Sequence, residues 1–464
     1  MGLSRRSLLH LAALSAIAAG IVPSSPGGAQ TKPEKTARTI PWRNWSGAQS
    51  CTPAARIAPA TEAELAGLLR TTSAPIRPVG AGHSFSALVP TDGTILSLDR
   101  LSGLTDAQPG TSGQTSLWAG TRLSDVSTIL ADRNRALPNM PDIDKQTLAG
   151  ALSTSTHGTG QDFGSLSTFT TGLTLATATG DLIDCNATDN ADLYQAARVA
   201  MGALGVLTRA TLATEPAFKL KRRTWVMPFE DMLDGLEEFG RTNRHFEFYY
   251  IPFSGMALAI THNETDEAAT PAPPSEEDDS VEQLRMLQDW LGWAPPIRKW
   301  VTQKIMSTIE PEERIDTSHA LLSTERNIRF NEMEYHLPRE AARDALRQVR
   351  DTIEDNNIEV FFPIEFRFVK GDDIWLSPFY GRESCSIAVH RFHSEDYQPY
   401  FSQIEPVFRN HQGRPHWGKL HTLTGTDFKS LYPRWQDFQE IRKTLDPGGR
   451  FLNSHLKDIF NGVG

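Results

Sequence analysis

Four short groups of residues in this 464-residue chain have the types and spacing to do chemistry. The first is Gly80-Ala81-Gly82-His83-Ser84, directly after Ile76-Arg77-Pro78-Val79. Two glycines around a small residue let the backbone turn tightly and approach a ligand closely. Successive N–H groups in such a turn can hold phosphate. An imidazole at its end can bond to an electrophilic cofactor ring. The second group is Gly150-Ala151-Leu152-Ser153-Thr154-Ser155-Thr156-His157-Gly158-Thr159-Gly160, uncharged and rich in glycines and hydroxyls. Its backbone and hydroxyls could donate hydrogen bonds to a diphosphate or a ring edge. It has neither the Gly-x-Gly-x-x-Gly spacing of a dinucleotide fingerprint nor a Walker Gly-Lys-Ser/Thr. Each loop alone also reads as an ordinary turn.

The third group is Ile364-Glu365-Phe366-Arg367-Phe368. On a strand, Glu365 and Arg367 point to one face and the aromatics to the other. Such a pair could grip a substrate hydroxyl, and the carboxylate could accept its proton. The competing reading is an exposed ion pair that contributes little. The fourth is Lys419, in His416-Trp417-Gly418-Lys419-Leu420-His421, a fixed cation able to stabilise developing negative charge. His390, in Ala388-Val389-His390-Arg391-Phe392, serves equally well as a substrate contact or a structural histidine. His411, His416 and His421 have no Cys or acidic partner at zinc spacing, so no metal site is expected.

The elements that must position these groups are legible in outline. Thr61 followed three residues later by Glu64 is a capping box, predicting a helix through Leu65, Leu68 and Leu69. Strands are predicted at Pro75–Val79 and Thr94–Leu98, a helix over Leu123–Ala136, and a hairpin over Thr171–Asp184 turning at Thr179-Gly180-Asp181. Asp189 or Asn190 caps a further helix through Ala197. After about Pro216 aromatics become denser. The stretch Glu264–Glu282 holds eight acidic residues and no basic one, and reads as a solvated loop. A helix-like segment, Val281–Met306, carries Trp290, Trp293 and Trp300 as core or lid residues.

Composition sets bounds. The length calls for more than one core, and a net charge of −10 argues against nucleic acid as partner. Three cysteines cannot make a disulfide scaffold. Ser4-Arg5-Arg6-Ser7 precedes an apolar stretch to Ile21 and a small-residue exit near Ala29, the layout of a secretion signal. The Arg pair resembles the twin-arginine export signal. Cleavage near Ala29 takes the net charge from −10 to −12. No later segment reads as transmembrane. The mature chain is therefore expected in the periplasm or outside the cell, with the export machinery as a partner and without stable membrane insertion.

In order along the chain, Arg77-Pro78-Val79-Gly80-Ala81-Gly82-His83-Ser84, Ser155-Thr156-His157-Gly158-Thr159-Gly160 and Gly202-Ala203-Leu204-Gly205-Val206-Leu207 together resemble the FAD-binding domain of the vanillyl-alcohol-oxidase flavoproteins. Asn44-Trp45-Ser46-Gly47, Glu332-Met333-Glu334-Tyr335, Pro363-Ile364-Glu365-Phe366-Arg367, His416-Trp417-Gly418-Lys419 and Asp446-Pro447-Gly448-Gly449-Arg450 are similar to signatures of its aldonolactone and alditol oxidase branch. The resemblance implies an α+β fold: an FAD-binding domain of two α/β subdomains over 38–217, a cap with an antiparallel sheet flanked by helices over 218–424, and a C-terminal segment, 425–464, returning to the FAD domain.

It also implies FAD held by Gly80, Ala81, Gly82, His83, Ser84, Ser153, Thr154, Ser155, His157, Gly158, Thr159, Gly160 and Val206, with His83 as a covalent attachment point. Glu365, Arg367, Lys419 and His390 would then act on an alcohol of a sugar lactone, passing hydride to flavin N5, with O2 or another acceptor reoxidising the flavin. An alditol oxidase on the same scaffold stays open, as does a non-catalytic periplasmic sugar-binding protein.

Overall fold

Thr61 starts a helix as its spacing predicts: its side chain accepts from the Glu64 N–H at 3.1 Å at the head of Glu62–Thr71. The Glu64 carboxylate takes the Ala60 N–H instead of closing a reciprocal box. Leu65 and Leu69, one turn apart, are fully buried. This helix is the crossover that parallel strands require. It joins Ala55–Ile57 to Ile76–Val79, and both pair with Thr94–Ser97 between them in a three-stranded parallel sheet. Gly80–Ser84 therefore leaves the carboxyl end of a parallel strand, where open α/β sheets bind ligands. The computed structural model from which these elements are taken describes residues 40–73, 75–106, 113–271, 295–306, 308–324 and 328–462. The expected signal segment, the larger part of the acidic stretch, Trp290 and Trp293 lie outside the described residues.

A four-stranded antiparallel sheet packs beside the first, in the order Gln114–Trp118, Val206–Ala213, Thr170–Ala176, Leu182–Asn186. The last two strands form the expected hairpin, turning at Gly180 with φ +79°, where a Cβ would lie 2.5 Å from the Ala66 carbonyl oxygen. Three local expectations change. The helix from Leu123 stops at Ala131, because Asn134 takes φ +53° and Arg135–Ala136 pairs with Glu215–Pro216. The hydroxyl-rich segment begins as a helix, Leu148–Ser153, capped by Thr147 accepting from the Gly150 N–H. Asn190 precedes the helix Ala191–Ala197 at φ +52°, but its amide donates to the Asp184 carbonyl rather than capping the helix.

From Lys219 onward the chain builds an eight-stranded antiparallel sheet. Its order is Glu312–Thr317, Lys219–Pro228, Met256–Glu264, His245–Ile251, Ile364–Val369, Ser384–Phe392, Phe330–Pro338, Arg414–Pro415. The central strands alternate with period two. Phe246, Phe248, Tyr250, Ile364, Phe366, Phe368, Ile387, Met333 and Tyr335 share one face by register. Three helices cover that face. Phe229 of Phe229–Thr242 packs on Tyr250 with ring centroids 4.3 Å apart. Glu354 of Ala342–Asp355 accepts from the Tyr250 hydroxyl, and Phe408 of Gln398–Asn410 stacks on Tyr335 at 5.2 Å. Each fully buried Phe here contributes roughly 1.5–3 kcal/mol. The opposite face carries Glu247, Tyr249, Glu365, Arg367, Glu332, Glu334, His336, Ser386 and His390.

Of the acidic stretch, Glu264 closes a strand and pairs with Arg244 at 2.6 Å, and the Thr270 N–H donates to the Ile315 carbonyl at 2.9 Å. The helix Pro295–Met306 leaves Trp300 65% exposed, so Trp300 is not a core residue. After Leu423 the chain returns to the first sheets. The Arg450 guanidinium donates to the carbonyls of Ala178 and Leu69, and the Asn453 amide to those of Ala87 and Pro90. The three cysteines are free thiols. No helix among the described residues is long and apolar enough to cross a membrane.

Candidate active site

Two adjoining hollows collect the chemical groups. The larger is a cleft of about 1070 Å³ of open space, its mouth included. Gly80, Ala81, Gly82, His83, Ser84, Ser153, Thr154 and Val206 line it, all expected to hold the cofactor. Among the described residues, no acceptor within the chain takes the N–H groups of Ala81, Gly82, His83 or Ser84. Unpaired N–H groups in a turn bind anions. Gly80 has no room for a side chain: a Cβ would sit 2.2 Å from Thr147 Oγ1. Gly82 holds φ +72°, which favours glycine. The cleft thus fits a large flat ligand with an anionic middle.

The remaining residues of the second loop do not line that cleft. Ser155 is buried at φ +61°, its hydroxyl 3.3 Å from the Ser377 hydroxyl. A Cβ on Gly158 would meet the Met140 carbonyl oxygen at 2.3 Å. The Thr159 hydroxyl donates to the Phe246 carbonyl, and the Gly160 N–H to the Phe368 carbonyl at 2.9 Å. Thr159 and Gly160 thus anchor the loop to the large sheet. His157 turns the other way, into the second hollow.

The second hollow, about 560 Å³, is polar. Glu365, Arg367, His390 and Lys419, the four residues expected to be catalytic, all line it, together with Asp142, Glu332, Glu334, His157, His416, Phe330 and Gln146. Gln146 lines both hollows. The Phe85 N–H donates to the Gly418 carbonyl at 2.7 Å, tying the Gly80–Ser84 loop to the Lys419 loop.

Charges here are paired, as buried charges must be. Arg367 donates through Nε to Glu247 at 2.7 Å and contacts Glu365 through Nη2, with Asp142 at 3.6 Å. Burial alone would lower its pKa, but these carboxylates hold it well above the usual arginine value. Lys419 Nζ contacts Glu332, with Glu334 at 4.0 Å, and lies 5.0 Å over the Phe85 ring. Burial would raise Glu332, yet Lys419 and His390 bring it down to about 2. His157 places Nε2 3.0 Å from Glu334 and Nδ1 2.8 Å from the Gly158 carbonyl. His390 Nε2 stands 3.6 Å from Glu332 and 3.8 Å from Glu365, beyond hydrogen-bond reach of either. Burial pushes the His416 imidazole down to about 3.

His83 lines the larger cleft. Its ring stacks on Trp45 with centroids 5.4 Å apart. Burial first, then Lys419, lowers its pKa to about 4, so the ring is uncharged at neutral pH. Glu332 and Glu334 were not among the expected site residues. Their signal was the same period-two spacing that singled out Glu365 and Arg367. Register puts all four on one face across neighbouring strands. Asp142, Gln146 and Thr147 come from a loop with no comparable sequence signal.

Comparison with known proteins agrees with this geometry. Residues 210–459 match the family model for D-arabinono-1,4-lactone oxidase, and residues 53–186 match that for an FAD binding domain. L-gulono-1,4-lactone dehydrogenase of Mycobacterium tuberculosis is 36% identical over 90% of this chain and 98% of its own. L-gulonolactone oxidase of Bos taurus is 30% identical over 91% and 98%, and alditol oxidase of a Streptomyces species 28% over 90% and 99%. In fold, a cholesterol oxidase variant from Brevibacterium sterolicum superposes with a TM-score of 0.75 at 16% identity, over 90% of this chain and 96% of that one. The glycine-lined cleft belongs to an FAD-binding domain, and the chain is a member of the D-arabinono-1,4-lactone oxidase family.

Proposed function

We propose that this chain oxidises the ring alcohol of an aldono-1,4-lactone, with FAD in the glycine-lined cleft and the substrate in the polar hollow beside it. The observation that carries this reading is the convergence of Glu365, Arg367, His390 and Lys419 on one hollow that shares Gln146 with the cleft. Bound flavin supplies a two-electron acceptor next to the substrate carbon. Residues 38–217 and 425–464 hold it, and 218–424 supply the substrate wall.

Arg367, fixed by three carboxylates, orients Glu365 and donates toward substrate oxygens. Glu365 and His390 face the gap where a hydroxyl fits, and either can accept its proton as the carbonyl forms. Lys419, held by Glu332, places a positive charge at the edge facing His83. An alditol reading is favoured by the alditol oxidase among the relatives and by a hollow with donors and acceptors on every side. A panel of aldonolactones, alditols and aldoses, scored by bleaching of the flavin without oxygen, tests both readings. Bleaching by alditols alone would overturn the lactone assignment, and bleaching by none would overturn the enzyme reading in favour of a binding protein.

The covalent link to His83 rests on its neutral ring at the rim of the cleft. Flavin that stays with the denatured chain, but is released from the denatured His83→Ala variant, is the expected result. Electrons pass onward to O2 or another acceptor, and rapid return of colour on admitting air would mark an oxidase. Export through the twin-arginine route rests on Arg5 and Arg6 before the apolar stretch. Arg5→Lys with Arg6→Lys should leave the precursor uncleaved inside the cell.

A further inference from the structure

The cleft offers an anionic dinucleotide almost no charge. Of the residues lining it, only Arg77 carries a formal charge, and His83 is the only other titratable one. Arg77 is 1% exposed and has no acidic partner among the described residues. Its Nε donates to the Leu88 carbonyl at 2.8 Å. Its two Nη atoms donate to the carbonyls of Met201 at 2.7 Å, Gly202 at 3.3 Å and Phe451. Its donors are therefore spent on main chain from three separate segments, including the C-terminal one. Arg367 shows the alternative: also buried, it is ringed by Glu247, Glu365 and Asp142.

A buried cation without a counter-charge is costly. Burial brings the Arg77 pKa down to about 9. Four carbonyl dipoles solvate the guanidinium but do not neutralise it. The missing negative charge is what a diphosphate brings.

We propose that Arg77 is the built-in counter-charge of the cofactor cleft, selecting an anionic flavin dinucleotide over a neutral flavin while bracing residues 201–202 and 451 around it. It acts through space, since its N–H groups are already engaged. The proposal rests on the FAD reading but not on covalent attachment.

The test uses the full mature chain in the His83→Ala background, stripped of flavin, and titrates it with FAD and with uncharged riboflavin. Arg77→Met should weaken FAD on the order of tenfold to a hundredfold, as for one charge pair lost at several ångströms in a protein interior. Riboflavin, which loses the bracing but no charge pair, should weaken far less than FAD. Arg77→Lys keeps the charge but loses the fork, and should retain the preference for FAD. Equal weakening of both ligands by Arg77→Met, or absence of the preference in Arg77→Lys even at a pH low enough to keep the lysine charged, would overturn the proposal.

If Arg77→Met does not fold, the lysine variant decides alone. A buried ammonium loses its proton as pH rises, so the preference for FAD should fall with pH. The titratable neighbours, His83 and His455, are both held down to about 4 and stay neutral over that range. A pH-independent preference would contradict the proposal. A parent chain that takes up neither ligand would instead overturn the flavin reading itself.

Discussion

The two hollows solve opposite problems with opposite materials. The cofactor cleft is made of backbone: glycines, small side chains, free N–H groups and one deeply buried guanidinium. The substrate hollow is made of side chains: four carboxylates, an arginine, a lysine and three histidines on a sheet face and its neighbouring loops. A cofactor that stays needs shape and a few donors. A substrate that reacts and leaves needs groups that move protons. Adding a side chain therefore damages the first, and removing a charge damages the second.

That contrast orders the expected effects. Arg367→Met should be the most damaging, because it strands Glu247, Glu365 and Asp142 together. Breaking a buried pair costs about 3–5 kcal/mol, to be read from denaturant unfolding. A loss below about 1 kcal/mol would mean the cluster is wetter than its burial implies. Glu365→Gln should next cut the rate of anaerobic flavin reduction about 10²- to 10⁴-fold, the usual contribution of a positioned acid–base group, with flavin content intact. Gly80→Ala should do the reverse. Its Cβ overlaps Thr147 Oγ1, so flavin content falls while the fold survives. Full flavin loading of that variant would break the division between the two regions.

Acid sensitivity sharpens the same comparison on a smaller scale. Burial lowers His262, His416 and His421 to about 3 each, and all three lie outside the cofactor cleft. The unfolded chain takes up protons at these histidines below about pH 6.5, whereas the folded chain does not until near 3. Their stabilisation is complete above 6.5 and declines as pH falls, by about 1.4 kcal/mol per pH unit for each histidine. Glu332, depressed to about 2, adds a further loss only between about 4.3 and 2. Melting temperature against pH should fall from 6.5 downward, and His421→Gln should flatten the slope. A flat profile down to pH 4.5 would contradict the burial of these rings.

Much of this was legible because local rules carried it. Glycine spacing marked the cleft, Thr61 marked its helix, and Glu365 with Arg367 marked a strand face. Glu365, Arg367, His390 and Lys419 came together in one hollow as the motifs implied. Glu332 and Glu334 obeyed the same alternation but were not singled out, since only strand register shows that they face His390 and Lys419. Thr159 and Gly160 matched a cofactor motif yet tie the loop to the large sheet, because their polar atoms meet main chain at Phe246 and Phe368, while Ser155 meets the Ser377 hydroxyl. Arg77 stood in a conspicuous motif, but its separation from the acids among the described residues exists only once residues 201–202 and 451 close around it.

The most direct measurement mixes the flavin-loaded chain with an aldono-1,4-lactone in the absence of oxygen and follows the flavin band. Rapid bleaching, slowed in Glu365→Gln and in Lys419→Met without loss of bound flavin, is the expected result. A flavin that keeps its colour with every lactone and alditol, or that bleaches equally fast in both variants, would contradict the assignment of the polar hollow as the place where the alcohol is oxidised.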